Sequence, residues 1–396
     1  MYHMINNIPV FGTHDDNTIE QMIGYARHPR AVAASLQADG HFGYVAPVGS
    51  VLALDNAVSL EGIGVDIGCG NKAVATDLRA DDIRADLARI MDTLAATIEF
   101  GLGSGRGIAA DHPIFDDPRW NSAELLPLRA RARTQLGSVG GGNHFCDVFS
   151  DELGRVWVGV HFGSRGFGHK VATGFINLAH GRSWQDKPLT TTESTVLALD
   201  TALGAAYWDA LQLAQGYAYA GRNVVVQQVL DVLGAQATET VHNHHNAAWI
   251  ETHGGREVVV VRKGATPAWP GQKGFIGGSM GDCSVIIEGV DSATSAAALH
   301  STVHGAGRVM SRTKATGRSK WGKTKGEPGV KRADMDVWLA REGVLLRGGD
   351  VDESPQVYRR LNDVLAAQGD SIRVVHTLRP LGVVMAGADV IDSFKD

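Results

Sequence analysis

The chain has 396 residues, of which 44% are hydrophobic and 20% are charged, a balance typical of a globular protein with a large buried core. No apolar run approaches the roughly 18 residues of a transmembrane helix, so the sequence does not indicate a membrane-spanning protein. The net charge of −6 argues against a general polyanion binder, and three scattered cysteines exclude a disulfide framework and favour a reducing, cytoplasmic setting.

The first half of the chain predicts both helices and strands. The opening segment MYHMINNIPVFG lacks a basic start followed by an apolar block, so we expect no secretory signal. Residues 18–38 predict one or two short helices, and residues 44–67 alternate short apolar runs with Gly and Pro, which predicts strands. Residues 80–100 open with an acidic turn and continue at helical spacing, which predicts one helix.

The second half continues the mixture. Residues 155–166 predict a strand that runs into a glycine turn. Residues 193–220 predict a long helical stretch, and residues 223–236 predict a further helix. Residues 256–267 and 283–290 predict buried strands. No repeat, low-complexity tract or linker divides the chain, so we expect a single large mixed α+β domain over residues 1–396, with central β-sheets flanked by helices.

Residues 312–332 differ from the rest of the chain. They carry eight Lys or Arg residues against one acid, interleaved with Gly, Thr, Ser and Trp321. Such a stretch cannot build a core, and it predicts a mobile basic loop that contacts nucleic-acid phosphates, with Trp321 available for stacking. The alternative is an ordinary solvated loop.

Glycine-flanked stretches with polar donors recur along the chain. They are GVDIGCG (64–70), GSVGGGNHFCDVF (137–149), VGVHFGSRGFGHK (158–170), TVHNHHNAAW (240–249) and ALHSTVHGAGRVMSR (298–312). Each histidine taken alone could be a loop residue bonded to the backbone. Their shared pattern indicates one common pocket, since glycine turns let the backbone approach a ligand.

The donor types in these stretches indicate a metal site. Cys, Asp and His together form a mixed S/O/N donor set, and no short C-x2-C spacing of a structural zinc site occurs. Donors scattered from 66 to 245 predict a catalytic site assembled from several strand ends, in which Cys69 could bridge two ions. Mn²⁺ or Zn²⁺ suits this set better than Mg²⁺, and paired divalent ions suit phosphoryl chemistry.

An anion-binding side accompanies these donors. The turns GSRGFG (163–168) and GAGR (305–308) expose backbone N–H groups, and Arg165, Lys263 and Arg308 add cations. The combination predicts phosphoryl or nucleotidyl transfer. His304 could be a proton shuttle or a covalent nucleophile, and the residues alone leave both roles open.

The motifs of the chain, taken in order, resemble those of the RtcB family of RNA-splicing ligases. They are DIGCG (66–70), GGGNHF (140–145), HFGSRGFGH (161–169), HHN (244–246), RKGA (262–265), GGSMGDCS (277–284) and HGAGRVMSR (304–312). They span most of the chain, and their combination is specific. The resemblance implies an RtcB-like fold and a GTP- and Mn²⁺-dependent enzyme that joins RNA 3′-phosphate or 2′,3′-cyclic phosphate ends to 5′-hydroxyl ends.

The resemblance also implies roles by motif position. Two Mn²⁺ ions would be bound, with Cys69 shared, by Asp66, Cys69, His144, His161 and His245. His304 would attack the GTP α-phosphate to form histidine–GMP, while Arg165, Lys263 and Arg308 meet phosphates. The nucleotide would be held by Asn143, Phe145, Asp147, Ser279, Ser284, Ala306, Gly307 and Tyr358.

Three positions depart from the family pattern. Met385 and Ala386 stand where a C-terminal lysine is expected, Asp147 replaces a glutamate, and Gly278 replaces a proline. These departures leave nucleotide preference open. Two alternatives also stay open: a dinuclear-metal phosphohydrolase or RNA end-processing enzyme without nucleotidyl transfer, and a non-catalytic RNA-binding module. The sequence leaves open the physiological RNA, the oligomeric state and any need for an activating protein partner.

Overall fold

The computed structural model describes residues 2–101, 105, 109–318, 323–388 and 390, which form β-sheets with helices packed against them. The strands of this part of the chain are β1 Tyr2–Ile5, β2 Ile8–Phe11, β3 Ala31–His41, β4 Val48–Leu54, β5 Ala57–Ser59, β6 Gly70–Arg79, β7 Phe145–Ser150, β8 Arg155–Phe162, β9 Val196–Ala198, β10 Ala237–His244, β11 Asn246–His253, β12 Arg256–Lys263, β13 Ala265–Pro267, β14 Lys273–Ile276, β15 Ser284–Gly289, β16 Ser301–Val303, β17 Leu345–Gly349 and β18 Ile372–Gly387. The helices are α1 Asp16–Ala26, α2 Ala80–Ile83, α3 Leu87–Thr97, α4 Leu126–Gln135, α5 Arg165–Ala179, α6 Ala202–Leu233, α7 Ala293–Ala297, α8 Arg312–Thr316, α9 Arg332–Glu342 and α10 Leu361–Gln368.

Two large sheets dominate the described part of the chain. The first has the strand order β1-β2-β3-β4-β12-β11. The second has the order β10-β6-β8-β7-β18-β15-β14, and β17 pairs with β18 in parallel. The architecture confirms the predicted single α+β domain with sheets flanked by helices, because α6 contributes side chains both to the apolar cluster of the first sheet and to that of the second.

The long helix α6 supports the second sheet. It begins after Thr201, whose hydroxyl accepts the N–H of Gly204, and it ends at Gly234, which adopts a left-handed φ of 65°. Its Tyr207 and Val225 are fully buried, and the helix packs against α5, β6 and β8. No helix in the described part of the chain, α6 included, combines the length and apolarity that a membrane crossing requires.

The N-terminal helix prediction was half wrong. Residues 16–26 are helical, but residues 31–41 form the strand β3, which lies between β2 and β4 and is buried at residues 34–40. Ala-rich sequence favours a helix, and the burial of this segment in a sheet overrides that preference. Pro29 separates the two elements.

Other boundaries also differ from the predictions. The single helix predicted at 80–100 is interrupted by a 3₁₀ turn at Arg84–Asp86. The two helices predicted between 193 and 236 are one helix, α6, preceded by β9. The strands predicted at 256–267 and 283–290 are confirmed as β12 with β13 and as β15.

Candidate active site

The predicted metal ligands come from neighbouring strand ends of the second sheet. Asp66 and Cys69 occupy the turn before β6, His161 lies in β8, and His144 directly precedes β7. His245 follows the last residue of β10. The pairing of Gly70 with Phe162 and His244, and of Phe145 with His161, brings all these segments to the same end of the sheet. The register of these strands therefore brings the predicted ligands into one pocket, as the sequence predicted.

The donor atoms of these residues lie close together. Cys69 Sγ is 3.2 Å from His161 Nε2 and 3.7 Å from His144 Nε2, and Asp66 Oδ2 is 3.1 Å from His144 Nε2. One ligand atom each from Cys69, His144 and His161 falls within a 4.8 Å span. The His245 ring centroid is 5.2 Å from that of His161. This spacing suits donors around a cation.

The electrostatics of the cluster also fit a cation. Burial lowers the pKa of His161 and His245 well below the usual value, so both rings are neutral donors. Burial and the neighbouring Asp66 raise the pKa of the Cys69 thiol, so a positive charge is needed to hold it as a thiolate. Burial opposes ionisation of Asp66, but hydrogen bonding and charge from His144 keep the pKa of that carboxyl below its usual value.

Backbone contacts orient the ligands and leave space around them. His161 Nδ1 lies 3.1 Å from the Asn143 carbonyl oxygen, which places a proton on Nδ1 and leaves Nε2 as the donor facing Cys69. His245 Nδ1 is buried and has no hydrogen-bond partner among the described residues. A Cβ added at Gly163 would overlap Asp66 Oδ1, so any larger residue at this position would displace the Asp66 carboxylate. This donor set fits a divalent cation. The pair of Mn²⁺ ions that the family resemblance implies stays a prediction.

Arg222, on α6, lies fully buried behind this cluster. Its guanidinium donates to the carbonyl oxygens of Gly68 at 2.9 Å and Phe162 at 2.6 Å, the neighbours of Cys69 and His161. Burial lowers the pKa of Arg222 to about 10, so it remains a cation at neutral pH. It thus connects two ligand-bearing segments and places positive charge near the thiol.

His304 stands beside the metal cluster and is paired with a buried carboxylate. Its Nδ1 lies 2.6 Å from Asp39 Oδ2, and the backbone N–H groups of His304 and Gly305 donate to the same carboxyl oxygen at 2.9 and 3.1 Å. Burial opposes the charge on His304, but the Asp39 ion pair outweighs burial and raises the pKa of the imidazole. The His304 ring centroid is 5.1 Å from that of His245. Asp39 therefore leaves Nε2 as the ring nitrogen available to react.

A cavity of about 390 Å³ joins the metal cluster to His304. Its lining includes all the predicted metal ligands and most predicted nucleotide-binding residues, namely Asn143, Phe145, Asp147, Ser279, Ala306, Gly307 and Tyr358. Met385 also lines it, at the position where the family pattern predicts a lysine. Burial raises the pKa of Asp147 well above the usual value, so this carboxyl can be neutral and donate a hydrogen bond.

The predicted cationic residues lie in different places. Lys263 lines the cavity, but its Nζ donates to the carbonyl oxygens of Tyr44 at 2.7 Å and Ala46 at 2.8 Å, and burial lowers its pKa to about 7. Arg308 lines the cavity and donates to the Tyr358 hydroxyl at 2.8 Å. Arg165 is not among the lining residues, and its guanidinium donates to the Gly101 carbonyl at 2.7 Å. Phosphate contact by these side chains stays a prediction.

Two further predictions concern residues away from the cavity wall. Ser284 does not line the cavity, and its hydroxyl accepts the N–H of Gly278, so it shapes the turn that carries Ser279. In the predicted basic loop, residues 312–316 form the helix α8. Trp321 lies outside the described residues, and nucleic-acid contact by the loop stays a prediction.

A second group of metal-type donors has a different character. Asp151, Glu152 and His376 bring ligand atoms within 4.8 Å of one another. Arg155 Nε donates to Asp151 Oδ2 at 2.7 Å, and Arg155 Nη2 lies 3.2 Å from His376 Nε2. A guanidinium already supplies the positive charge there, so this cluster is an ion-pair network.

Asp39, His41 and Arg222 are the site residues that sequence reasoning missed. Asp39 and His41 flank Gly40 in the segment ADGHFG, which has the same glycine-flanked pattern as the stretches that were recognised. His41 lines the cavity, and burial lowers its pKa to about 4. Arg222 lies in an apolar helical run and carries no local signal of its role.

Comparison with known proteins adds independent observations. The family model described as "tRNA-splicing ligase RtcB" matches residues 21–120 and 115–386. The chain is 33% identical over 394 aligned residues to the RNA-splicing ligase RtcB of Escherichia coli (strain K12), an alignment covering 91% of this chain and 92% of that protein. It is 31% identical over 446 residues to the RNA-splicing ligase RtcB of Mycobacterium tuberculosis (strain H37Rv), covering 92% and 99% of the two chains. It is 28% identical over 454 residues to the tRNA-splicing ligase RtcB of Thermococcus kodakarensis, covering 93% and 91%.

Proposed function

The chain belongs to the RtcB family of tRNA-splicing ligases, and from this membership we propose that the protein is a GTP- and Mn²⁺-dependent RNA ligase. Its substrates would be RNA 3′-phosphate or 2′,3′-cyclic phosphate ends and RNA 5′-hydroxyl ends. The main support is that ligand atoms of Cys69, His144 and His161 lie within 4.8 Å of one another. They line the same cavity as His304, which pairs with Asp39.

The His304–Asp39 pair supports a covalent role for the histidine. Asp39 holds Nδ1, as an acid orients the histidine of a catalytic triad, so the Nε2 lone pair is directed to the electrophile. His304 Nε2 attacks the α-phosphorus of GTP, a P–N bond forms and pyrophosphate leaves. The nearby carboxylate stabilises the positive charge that develops on the imidazole during this step.

The later steps move GMP from the protein to the RNA. The RNA 3′-phosphate attacks the histidine-bound phosphorus, the P–N bond breaks, and the RNA end becomes activated with GMP. The RNA 5′-hydroxyl then loses its proton, attacks the RNA 3′-phosphorus and expels GMP. A cyclic end must first be opened by water to a 3′-phosphate, because it carries no free monoester to accept GMP.

Asp66, Cys69, His144, His161 and His245 would hold the metal ions. When bound, paired divalent cations stabilise negative charge on the phosphates. Ala306, Gly307 and Arg308, in the turn after His304, line the same cavity, and backbone N–H groups in a glycine turn of this kind suit phosphate oxygens. Phe145 and Tyr358 offer aromatic faces to a base.

A labelling assay tests this proposal. Protein incubated with α-³²P-GTP and Mn²⁺ is expected to acquire label that survives denaturation and is released by acid, because P–N bonds are acid-labile. His304→Ala should take no label, whereas His3→Ala, which changes an exposed histidine of β1, should label normally. Equal labelling of His304→Ala and the intact chain would refute the proposed nucleophile.

One observation favours a second candidate function. Met385 lines the cavity at one of the two positions where the family resemblance implies a C-terminal lysine that would contact the base, so the nucleotide can differ from GTP or be absent from the reaction. Repeating the assay with all four nucleoside triphosphates separates the cases. Label from another nucleotide indicates changed base preference, and opening of a cyclic phosphate with no label indicates a dinuclear-metal phosphohydrolase.

A further inference from the structure

Two exposed aromatic side chains stand in the loop between β3 and β4, which we name the rim loop (residues 42–46). The loop separates two hollows: the residues at its ends, His41 and Val48, line the active-site cavity, while Phe42 and Tyr44 line a neighbouring cavity of about 890 Å³. Phe42 is 61% exposed and Tyr44 is 56% exposed. The chain segment that carries the rings therefore borders both cavities, and the rings themselves line the neighbouring one.

The rim loop is held firmly from two sides. The Gln21 side-chain amide donates to the Gly43 carbonyl at 2.7 Å and accepts the Gly43 N–H at 3.0 Å. Lys263 Nζ donates to the carbonyl oxygens of Tyr44 and Ala46 at 2.7 and 2.8 Å. These contacts fix the backbone while leaving both aromatic rings in solvent.

The turn inside the loop is strained. The Ala46 N–H donates to the Tyr44 carbonyl at 2.7 Å, which closes a three-residue turn around Val45. Val45 has a φ of 61°, an unfavourable value for a β-branched residue. Strain of this kind persists where the surrounding structure over-determines it, often at sites that contact ligands. A strained, clamped loop that displays aromatic rings is consistent with a preformed binding surface.

We propose that Phe42 and Tyr44 form a stacking surface for an unpaired nucleotide of an RNA end. The proposal rests on the RNA ligase function proposed above. Aromatic faces stack on nucleobases without regard to sequence, as a ligase that accepts varied ends requires. Phe42 has no hydrogen-bonding group, so its exposure suits stacking.

The shape of the neighbouring cavity favours a nucleotide over a protein partner. Its volume of about 890 Å³ lies in the range of small-molecule sites, whereas protein interfaces are flatter and larger. Its other walls include the polar side chains of Asn17 and Glu20 from α1, Arg27 at the end of that helix, and residues 191–194, with Tyr25 and Pro29 between them. A single base between aromatic rings and polar walls fits this composition.

Binding of fluorescent oligoribonucleotides tests the proposal. One probe carries 2-aminopurine beside a 3′-phosphate, and the other carries it beside a 5′-hydroxyl, so that the responding probe identifies the strand. Stacking on the wild-type protein should quench one probe. Phe42→Ala or Tyr44→Ala should weaken its binding about 5- to 150-fold, which corresponds to about 1–3 kcal/mol per stacked base.

Matched variants separate stacking from general apolar contact. Tyr44→Phe should bind normally because the ring remains, and Phe42→Leu should bind as weakly as Phe42→Ala because apolar bulk remains but the π face is lost. Val337→Ala changes an apolar residue of α9 that is 70% exposed and should have no effect. Normal binding and quenching by the double Phe42→Ala, Tyr44→Ala variant, or by Phe42→Leu, would overturn the proposal.

Failure of the stacking proposal can be distinguished from failure of the proposed ligase chemistry. Labelling of His304 with GTP requires no RNA, so the double variant should label at the wild-type rate. A protein that takes no label but quenches through the two rings supports the stacking surface and contradicts nucleotidyl transfer. A protein that takes label from GTP but binds RNA equally well without the two rings supports nucleotidyl transfer and contradicts the stacking surface.

Discussion

Replacing Arg222 with methionine should weaken metal binding without changing any metal ligand. The guanidinium donates to the carbonyl oxygens of Gly68 and Phe162, the backbone neighbours of Cys69 and His161. Arg222→Met preserves apolar bulk in the buried space but removes the charge, both carbonyl hydrogen bonds and the contacts with the rings of His242 and His244. The two ligand-bearing segments then lose their common support.

The expected magnitude follows from these contacts. A hydrogen bond from a charged group contributes about 1.5–3 kcal/mol, and loss of a residue that orients metal ligands typically costs about 10- to 100-fold in metal affinity. We therefore expect Mn²⁺ to bind Arg222→Met about 10- to 100-fold more weakly than wild type. Isothermal titration of Mn²⁺ into metal-free protein measures the difference directly.

A second buried arginine supplies the control for Arg222→Met. Arg262 is fully buried like Arg222, but its guanidinium donates to Glu251, Ser301 and the Leu299 carbonyl, none of which is a predicted metal ligand or its chain neighbour. Arg262→Met should lower the free energy of unfolding and leave Mn²⁺ affinity unchanged. Wild-type Mn²⁺ affinity in Arg222→Met, or an equal loss in both variants, would refute the positioning role.

Four further outcomes are expected. Asp39→Asn should slow self-labelling with GTP about 10- to 100-fold, because the imidazole of His304 loses a charged hydrogen-bond partner; an unchanged rate contradicts this. The same pair makes metal-free stability depend on pH: the Asp39 pKa lies below its usual 3.8 and the His304 pKa above its usual 6.5, so both groups carry their charges between those values. The difference in the free energy of unfolding between wild type and Asp39→Asn should therefore be largest between pH 3.8 and 6.5. It should shrink as the pH rises through the raised His304 pKa or falls through the lowered Asp39 pKa. A difference that stays constant with pH in chemical denaturation would argue against the ion pair. Gly163→Ala should abolish Mn²⁺ binding by displacing the Asp66 carboxylate. The control variant Gly24→Ala should bind Mn²⁺ normally, because a Cβ added there has no neighbouring atom within 4 Å. Intact Mn²⁺ binding by Gly163→Ala would exclude Asp66 as a ligand. Mn²⁺ at about 100 times its Kd should raise the free energy of unfolding by about 2.7 kcal/mol, a gain that a chelator reverses and that calorimetry detects; no shift in unfolding temperature would indicate no site.

The convergence of the predicted ligands was foreseeable because the signal is local. Asp66, Cys69, His144 and His161 all lie in or beside glycine turns at strand ends, and adjacent strands of one sheet bring such ends together. The strand at 256–263 was predictable for the same reason, since its run of valines is typical of a buried strand.

The contacts of the supporting residues were not foreseeable because their partners are distant in the chain, although the glycine-flanked segment ADGHFG marks Asp39 as a candidate. Asp39 contacts His304 across 265 positions, and Arg222 contacts Gly68 across 154 positions. No local pattern encodes such contacts. The strand β3 was mispredicted for a related reason, because its place between β2 and β4 outweighs the helix preference of its alanines.

The central claim is that distant donors hold metal ions beside His304. Anomalous diffraction from crystals grown with Mn²⁺ tests it most directly. We predict a pair of anomalous peaks among the five predicted ligands, Asp66, Cys69, His144, His161 and His245. Peaks found only at the Asp151, Glu152 and His376 cluster, or no peak beside Cys69, would contradict the account.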